Sequence, residues 1–326
     1  MMPANVIYNL IDECMAIFPC CNNVSQMCQL GGVSRSGYYA WKAATPKRQE
    51  RKEKDEEDFA LVKLAYEYRG YAKGARAIHM RLLHMSPSVI MNIKKIRRLM
   101  KKYGLKCPFR KPNPYRMMAK ALKTNTVAPN LVNRKFKTYA PRQALLTDIT
   151  YLPFQGAFCY LSTFLDACTH EILAYVVSSN LKVDFVLETV DRLLDKYGME
   201  LDKNLIIHSD QGCHYTSQAF IAKLRDNQFV QSMSRKGNCW DNAPQESFFG
   251  HMKDEIIATV KNAKSLEEIK TIIDDWIDYY NNERYQWNLQ KLSPSEYYRY
   301  CLTGDYPLPV GCAKPAFRGS APDPAV

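Results

Sequence analysis

The chain has 326 residues, 46% of them hydrophobic and 12% aromatic, a composition that supports packed cores and excludes a largely disordered protein. Its length favours two or three domains, and no apolar stretch approaches the roughly 20 residues that a membrane-spanning helix needs. We therefore expect a cytoplasmic protein without membrane contact, and the formal net charge of +12 indicates a polyanionic partner.

Residues 24–42 have the pattern of two short helices joined by a Gly-Gly turn. The second helix would begin near Ser34, and three apolar positions could be buried, namely Val33, Tyr38 and Trp41. This arrangement predicts a helix-turn-helix within an N-terminal helical region that we place at residues 1–57. The charged stretch at the end of this region, from Lys47 to Asp58, predicts a solvated helix or a linker.

Residues 58–115 predict a basic helical DNA-binding domain. Asp58–Tyr68 and Ala75–His84 would be helices, and Ser86-Pro87 would open a longer helix that ends at Gly104. One face of this last helix carries an apolar stripe formed by Val89, Ile93, Ile96, Met100 and Tyr103. The basic residues off that stripe are the candidate DNA contacts of the domain: Lys94, Lys95, Arg98, Lys101 and Lys102.

Positive charge is concentrated in residues 63–142, which contain 21 Lys and Arg and a single acid, Glu67. Such a density is the electrostatic footprint of a nucleic-acid partner, although a solvated basic surface without a partner stays open as an alternative. The segment from Cys107 to Pro141 is rich in Pro, Asn, Lys and Arg. Its part from residue 116 to 141 is predicted to be an extended basic linker that follows DNA.

From Ala144 the pattern changes to strands. Three strands predict an antiparallel meander, and shorter strands then alternate with amphipathic helices, one of them behind a Ser265–Glu268 capping box. This order predicts an α/β domain over residues 142–300, with a mixed sheet and helices on both faces. Residues 301–326 end in Pro, Ala and Gly and predict a flexible tail.

Three acidic residues of this domain stand where catalytic groups are commonly found. Asp148 lies in the first strand, Asp210 ends the strand LIIHSD, and Glu246 is near the start of a helix. Carboxylates are the ligands that Mg²⁺ prefers, and three of them can hold two ions about 4 Å apart for in-line phosphoryl transfer. Considered singly, each acid better fits an ordinary role, as a turn cap or a surface carboxylate.

Lys253 follows Glu246 by seven residues. On a helix the two residues share a face and lie about 10 Å apart along the axis. A lysine at this place could contact a DNA phosphate while Glu246 binds metal. The alternative is a solvated helix lysine without a functional role.

Eleven cysteines are present, but no two are spaced as C-x-x-C. Cys20 and Cys21 are adjacent, which suits neither a disulfide pair nor a zinc site. We therefore expect reduced, mostly buried thiols.

Three blocks around the acids resemble the catalytic blocks of a known family. TDITYLP contains Asp148, IIHSDQGCHYTS contains Asp210, and SRKGNCWDNAPQESFFGHMKDE contains Glu246, with 35 residues between the last two acids. Together with VSRSGYYAW and YYNNERYQWNLQKLSPSEY, they are similar to the second-frame (OrfB) transposases of the large two-frame bacterial insertion-sequence family. That family is related to retroviral integrases.

The resemblance implies an RNase H-like core in which the three carboxylates bind two Mg²⁺ ions, with Mn²⁺ as a substitute. It implies cleavage of transposon ends and joining of a 3′-hydroxyl to target DNA, by a homo-oligomer assembled on the DNA. Asp148, Asp210 and Glu246 would be the catalytic metal ligands, and Lys253 would contact DNA. The loop before Glu246 contains three residues that would shape it or contact DNA: Asn238, Asp241 and Asn242.

The resemblance also concerns what the chain does not contain. Active relatives usually include a first-frame (OrfA) segment with a leucine zipper, and no sustained heptad pattern occurs here. We therefore expect an OrfA segment as a fusion or a partner. Cys213 stands where relatives often carry a small polar residue.

Two other functions stay open at this point. A non-catalytic DNA-binding regulator of transposition would use the same basic segment, although it would not need three intact carboxylates. An RNase H-like nuclease would cleave DNA without joining the ends.

Overall fold

The N-terminal part of the chain is a three-helix unit. The computed structural model describes residues 2–17, 23–70, 73–107, 128–134, 136–235 and 239–309. The first helices are α1 (Ala4–Ile17), α2 (Val24–Leu30) and α3 (Arg35–Ala43). They pack around Ile11, Cys28 and Tyr38, each at most 5% exposed.

Local hydrogen bonds set the turn between α2 and α3. Asn23 accepts a hydrogen bond from the backbone of Gln26, and Ser34 accepts one from Gly37, so each helix has a side-chain N-cap. Gly32 adopts φ of +64° in the turn, a conformation that favours glycine. The two predicted helices and their turn are therefore confirmed, and α1 adds a helix that the sequence pattern did not indicate.

A second helical unit consists of α4 (Thr45–Glu67), α5 (Ala75–Leu83) and α6 (Ile93–Lys102). Its core is formed by fully buried side chains on all three helices, among them Val62, Ile78, Leu82, Ile96 and Leu99. The single helix α4 contains the charged stretch and runs through residues 57 and 58, where we expected a domain boundary.

The basic helix α6 begins later than the sequence predicted. Ser86-Pro87 does not open this helix, because the two residues that follow close the end of α5 instead. Ser88 donates its hydroxyl to the Leu83 carbonyl, and Val89 donates its amide to the Leu82 carbonyl. Asn92 is the N-cap and accepts a hydrogen bond from the Lys94 amide. The apolar stripe is confirmed in part, because Ile96 and Met100 are buried on α6 and Tyr103 packs against the same core. Val89 precedes the helix, and Leu99, which the prediction left out, is fully buried.

The last residues of the predicted linker pack against the C-terminal part of the chain. Val132 is completely buried, and the amide of Leu131 donates to the Ser232 hydroxyl at 3.0 Å. A segment held in this way does not follow DNA as an extended linker, so that prediction is wrong for residues 128–134. Residues 108–127 lie outside the described residues.

The C-terminal part contains one five-stranded mixed sheet. Its strands are β1 (Ala144–Phe154), β2 (Ala157–Asp166), β3 (Ile172–Ser178), β4 (Ile206–Ser209) and β5 (Val230–Met233), in the order β3-β2-β1-β4-β5. The first three strands are antiparallel, whereas β4 is parallel to β1 and β5 is parallel to β4. This is the predicted RNase H-like mixed sheet.

Helices cover both faces of the sheet. They are α7 (Val183–Tyr197), α8 (Gln218–Asp226), α9 (Ala243–Asn262) and α10 (Leu266–Asn282). The residues of α7 and α8 share one core cluster with β1 to β4, and those of α9 and α10 share the other. In the second core the ring of Phe248 on α9 contacts Trp276 and Tyr280 on α10.

A short helix, α11 (Pro294–Thr303), follows the sheet domain. Ser293 and Glu296 form a complete capping box at its start. Residues 301–303 belong to this helix, and Leu308 is buried against Leu83 and Leu292. The predicted tail therefore does not begin at residue 301, and residues 310–326 lie outside the described residues.

Two expectations concern the whole chain. No helix among the described residues is long and apolar enough to cross a membrane. The seven cysteines described in the structure are all free thiols, but only Cys28 and Cys159 are buried, so the expectation of mostly buried thiols is wrong for these residues.

Candidate active site

The pairing of β1 with β4 places two of the predicted acids side by side. Ala144 pairs with Ile206 and Leu146 with His208. Continuing this register by two residues brings Asp210, directly after β4, level with Asp148. Carboxyl ends of neighbouring strands are where α/β proteins commonly place functional groups.

Each aspartate is fixed by a local backbone hydrogen bond. The Ile149 amide donates to Oδ1 of Asp148 at 2.8 Å, and the Gly212 amide donates to Oδ1 of Asp210 at 2.9 Å. A Cβ atom at Gly212 would lie 2.8 Å from the same Asp210 oxygen, closer than real contacts allow. A larger residue at position 212 would therefore displace the Asp210 carboxylate from this hydrogen bond. The second oxygen of each carboxylate is left for another partner.

Electrostatics tie these aspartates to α9. Burial raises the pKa of Asp148 to about 7, the charge of Asp210 adds to this rise, and Glu246 adds to it further. The charge of Lys253 lowers the pKa of Asp148, and burial lowers the pKa of Lys253 itself. Asp148 therefore lies within the electrostatic reach of both predicted α9 residues, and a metal-free site at neutral pH is partly protonated.

A buried hydrogen bond joins the start of α9 to the sheet beside Asp148. Gln245 is fully buried and donates from Nε2 to the hydroxyl of Thr163. Thr163 on β2 is the cross-strand partner of Asp148, and Gln245 directly precedes Glu246. This contact sets the position of Glu246 relative to Asp148. The sequence pattern gave no signal for it, because residues 82 positions apart meet only in the fold.

The loop that precedes α9 is held by Asp241, which is completely buried. Its carboxylate accepts hydrogen bonds from Arg134, Arg235 and the Asn130 amide group. Burial raises the pKa of Asp241, but the hydrogen bonds from Arg235 and Arg134 outweigh burial and hold the pKa at about 2. Asp241 thus connects the segment before β1 to the start of α9.

Two asparagines of this loop, Asn238 and Asn242, were predicted to shape it or to contact DNA. Asn242 is only 5% exposed, at the residue before α9, so the structure does not present it to DNA as the sequence suggested. Its buried Oδ1 atom has no hydrogen-bond partner among the described residues. Asn238 lies outside the described residues.

Tyr215 is a further residue of this region that sequence reasoning missed. Its side chain is buried, and its hydroxyl lies 3.4 Å from the Thr147 hydroxyl. Burial is the main reason that its pKa is well above 10, and the charges of Asp148 and Asp210 contribute. Tyr215 therefore stays a neutral hydroxyl close to both acids.

The acids can be tested for fit to a divalent cation. Within the described ranges, no three His, Cys, Asp or Glu side chains are arranged to hold a metal ion. The pair formed by Asp148 and Asp210 offers oxygen donors only, the set that suits Mg²⁺ or Mn²⁺. The charge of Asp210 disfavours ionisation of Asp148, and a cation between them would remove that penalty, so the pair fits the ion.

The basic face of α6 is largely paired within the protein, contrary to the prediction of an open DNA-contact surface. Asp55 on α4 binds Arg98 through two hydrogen bonds of 2.6 Å and binds Lys102 at 3.0 Å. Lys95 pairs with Asp58. Lys94 and Lys101 are exposed and have no ion pair with any described residue.

Comparison with known proteins identifies the family. Residues 138–239 and 246–302 match families described as Integrase core domain, and residues 53–113 match an HTH-like domain. The uncharacterized 31 kDa protein of insertion element IS600 from Shigella sonnei is 31% identical over 83% of this chain and 97% of its own length. The transposase of IS904 from Lactococcus lactis is 32% identical over 68% of this chain and 85% of its own. The chain belongs to the insertion-sequence transposases.

Solved structures similar to this transposase include viral integrases. The HTLV-2 integrase catalytic core in complex with magnesium is 14% identical, with a TM-score of 0.39, over 49% of the transposase and 99% of that chain. A chain of the simian T-cell lymphotropic virus intasome in complex with the PP2A regulatory subunit B56 gamma is 14% identical, with a TM-score of 0.43. The match covers 78% of the transposase and 79% of that chain.

Proposed function

We propose that this transposase cleaves the ends of an insertion sequence and joins them to target DNA, in a reaction that requires Mg²⁺. The observation that carries the proposal is the placement of Asp210 level with Asp148, within the electrostatic reach of Glu246 on α9. In strand transfer the oxygen of a 3′-hydroxyl attacks a target phosphorus, and the bond from that phosphorus to the displaced 3′-oxygen breaks.

Asp148, Asp210 and Glu246 are the residues that would hold the metal. When bound between such carboxylates, divalent cations stabilise the charge on the entering and leaving oxygens of the phosphoryl group. Gln245 and Asp241 keep Glu246 at the edge of the sheet through their contacts with Thr163 and Arg235. These contacts limit where Glu246 can lie relative to the two aspartates.

Lys253 would contact a DNA phosphate beside the acids. It is half-buried on α9, and the charge of Asp148 acts on it. The helical unit that matches an HTH-like domain would hold the rest of the DNA, with Lys94 and Lys101 as exposed basic residues. We propose three functional regions: a helical region (1–57), a basic helical domain (58–115) that shares helix α4 with it, and a catalytic domain (142–300).

The assembly that acts on DNA would contain more than one copy of the chain, because two transposon ends must be joined together. An OrfA segment, fused or separate, would complete recognition of the ends. The reaction would take place in the bacterial cytoplasm, where its DNA substrate lies.

The test uses the full chain with labelled end DNA, a target plasmid and Mg²⁺. We expect Asp148→Asn, Asp210→Asn and Glu246→Gln each to reduce cleavage and joining by at least about a thousandfold, because the amides keep the shape but lose metal binding. Asp195→Asn, an exposed acid on α7, is the matched control and should act as wild type. Activity within tenfold of wild type in one of the three variants removes that residue from the site.

The same assay separates the alternatives. Cleaved ends without joined products indicate a nuclease. DNA binding with neither product, with and without an OrfA segment, indicates a regulator.

A further inference from the structure

A cavity of about 650 Å³ lies between the HTH-like unit and the sheet domain. It is lined by the start of α5, by one side of α9 and by the segment that follows α10. Ser247, the residue after Glu246, is part of its wall. The volume is within the range of about 300–1,000 Å³ that is typical of small-ligand sites, and the cavity adjoins the helix that carries the catalytic glutamate.

The charges in this cavity favour an anion. Two of its acids are already paired with arginines of the wall: Glu255 with Arg284 and Glu283 with Arg81. Two other arginines of the wall, Arg76 and Arg97, are exposed and have no acidic partner among the described residues. Asp254 is an exposed acid of the wall, and Lys73 adds a positive charge, since burial lowers its pKa only to about 8.

An exposed indole lies beside these cations. Trp287 is 42% exposed, and only three other described aromatic side chains, Tyr39, Tyr151 and Phe158, are exposed. The Arg76 guanidinium and the Lys291 ammonium each lie over its ring, 5.4 Å from the centre. Proteins bind unpaired nucleotides by stacking the base on an aromatic ring and holding the phosphate with cations, and here a base would stack on Trp287 in place of a cation that then holds the phosphate.

The basic surface continues beyond the cavity. A second cavity of about 400 Å³ shares Arg97 and Cys107 with the first and adds Lys101 and Lys106. These lysines are exposed, and they would follow the phosphates of the strand next to the bound nucleotide.

We propose that this cavity binds an unpaired nucleotide of the DNA substrate, with its base on Trp287 and its phosphate between Arg76 and Arg97. The proposal rests on the proposed function, because it takes DNA as the substrate, and it adds a single-strand subsite to it. An unpaired nucleotide held here lies against α9, so a distorted or frayed DNA end would be favoured over an intact duplex.

Binding of the full chain to DNA tests the proposal in EDTA, where no catalysis takes place. The probes are a blunt duplex of arbitrary sequence and the same duplex with a short single-stranded tail that carries 2-aminopurine. We expect wild type to bind the tailed duplex about tenfold more tightly than the blunt duplex, because one stacked base contributes binding free energy of that size. Stacking on Trp287 should also quench the fluorescence of 2-aminopurine. Trp287→Ala should remove both effects and leave blunt-duplex affinity unchanged, while Trp287→Phe should keep most of the preference.

Two further variants sharpen the result. Arg76→Ala with Arg97→Ala should lower tailed-duplex affinity and flatten its salt dependence. Phe158→Ala removes an aromatic side chain that is 54% exposed and lies outside the cavity, so it should behave as wild type. Equal affinity of wild type for the two probes overturns the proposal, as does a preference that survives Trp287→Ala. Loss of the three catalytic acids does not affect this assay, so each proposal can fail alone.

Discussion

Lys253 is half-buried on the face of α9 that carries Glu246, and its positive charge acts on Asp148. If it holds a phosphate beside the acids, Lys253→Ala should slow joining by at least about tenfold and change DNA affinity by less than about twofold. One contact among many matters little to affinity, whereas misplacing the reacting phosphate is costly. Lys253→Arg should retain much of the activity, because it keeps a cation of similar reach.

Lys261→Ala is the control for this prediction, since Lys261 is an exposed lysine further along the same helix. Joining rates and DNA affinities measured on all three variants give the comparison. Wild-type joining by Lys253→Ala would mean that Lys253 is a surface lysine whose spacing from Glu246 is incidental.

Asp241 gives a prediction about pH. Its ordinary pKa is 3.8, and the hydrogen bonds from Arg235 and Arg134 overcome the effect of burial and hold it at about 2. A lowered pKa stabilises the fold above pH 4, and this stabilisation is lost as the pH falls towards 2. Asp241→Asn should therefore lower Tm by several degrees at pH 7, with a difference from wild type that is constant down to about pH 5 and shrinks below pH 4.

Thermal unfolding between pH 7 and pH 3 measures this difference. Asp195→Asn, which removes an exposed carboxylate, should show no such difference. A Tm difference that is equally large at pH 3 and pH 7 would show that the carboxylate charge is not what holds the loop.

At the scale of elements, one buried side-chain hydrogen bond, from Gln245 to Thr163, joins the start of α9 to β2. Both side chains are fully buried, so removing one partner leaves the other without a hydrogen bond, at a cost of about 1–3 kcal/mol. Gln245→Ala and Thr163→Val should each slow joining by roughly ten- to a hundredfold with DNA affinity unchanged, because Glu246 is displaced. The double variant should lose little more than either single variant.

Joining rates of the four proteins provide the double-mutant cycle. Strictly additive losses would show that Gln245 and Thr163 act separately. In that case another contact positions Glu246.

Helix α4 neutralises part of the basic face of α6 through Asp55. Hydrogen bonds from Arg98 and then Lys102 hold the pKa of Asp55 well below its usual range, so the carboxylate is ionised at any ordinary pH. Asp55→Asn should free both cations and raise the affinity for duplex DNA. If each cation then contacts one phosphate, the slope of log affinity against log salt concentration should steepen by about 0.9 per contact, for up to two contacts. Asp191→Asn, which breaks the ion pair with Lys223 on the other domain, is the charge-matched control.

Titrations of DNA binding at several salt concentrations check this prediction. An unchanged slope in Asp55→Asn would mean that Arg98 and Lys102 do not face DNA even when they are released.

The elements that the sequence predicted correctly are those with a local signal. The start of β1 at Ala144 follows from the hydrophobic pattern, and the position of Asp148 within the first strand follows with it. The ion pair of Asp55 with Arg98 and the Gln245–Thr163 bond join residues 43 and 82 positions apart, and no local pattern indicates them. The start of α6 was misplaced for a related reason, since Ser88 and Val89 bond back to the end of α5.

At the scale of the whole molecule, Glu283 makes several of the contacts between the HTH-like unit and the sheet domain, beside those of His84 with Glu296 and of Leu83 with Leu292. Tyr68 donates its hydroxyl to Glu283, and Arg69 and Arg81 form ion pairs with it at 3.3 and 3.9 Å. Arg69 also forms an ion pair with Asp275 on α10. The carboxylate is about a quarter exposed, so its three contacts are only partly screened by water.

Glu283→Ala should therefore weaken the attachment of the two domains without disrupting either core. Removal of the shared acceptor takes one partner from each of Tyr68, Arg69 and Arg81, at a cost of roughly 2 kcal/mol. We expect wild type to unfold in one transition by calorimetry and Glu283→Ala to unfold in two, with the HTH-like unit melting first because its core is smaller. Glu267→Ala, which removes a glutamate that is 79% exposed on α10, should keep one transition. If Glu283→Ala also unfolds in one transition at the wild-type Tm, the domains are held by other contacts, and the cavity between them does not depend on this ion-pair cluster.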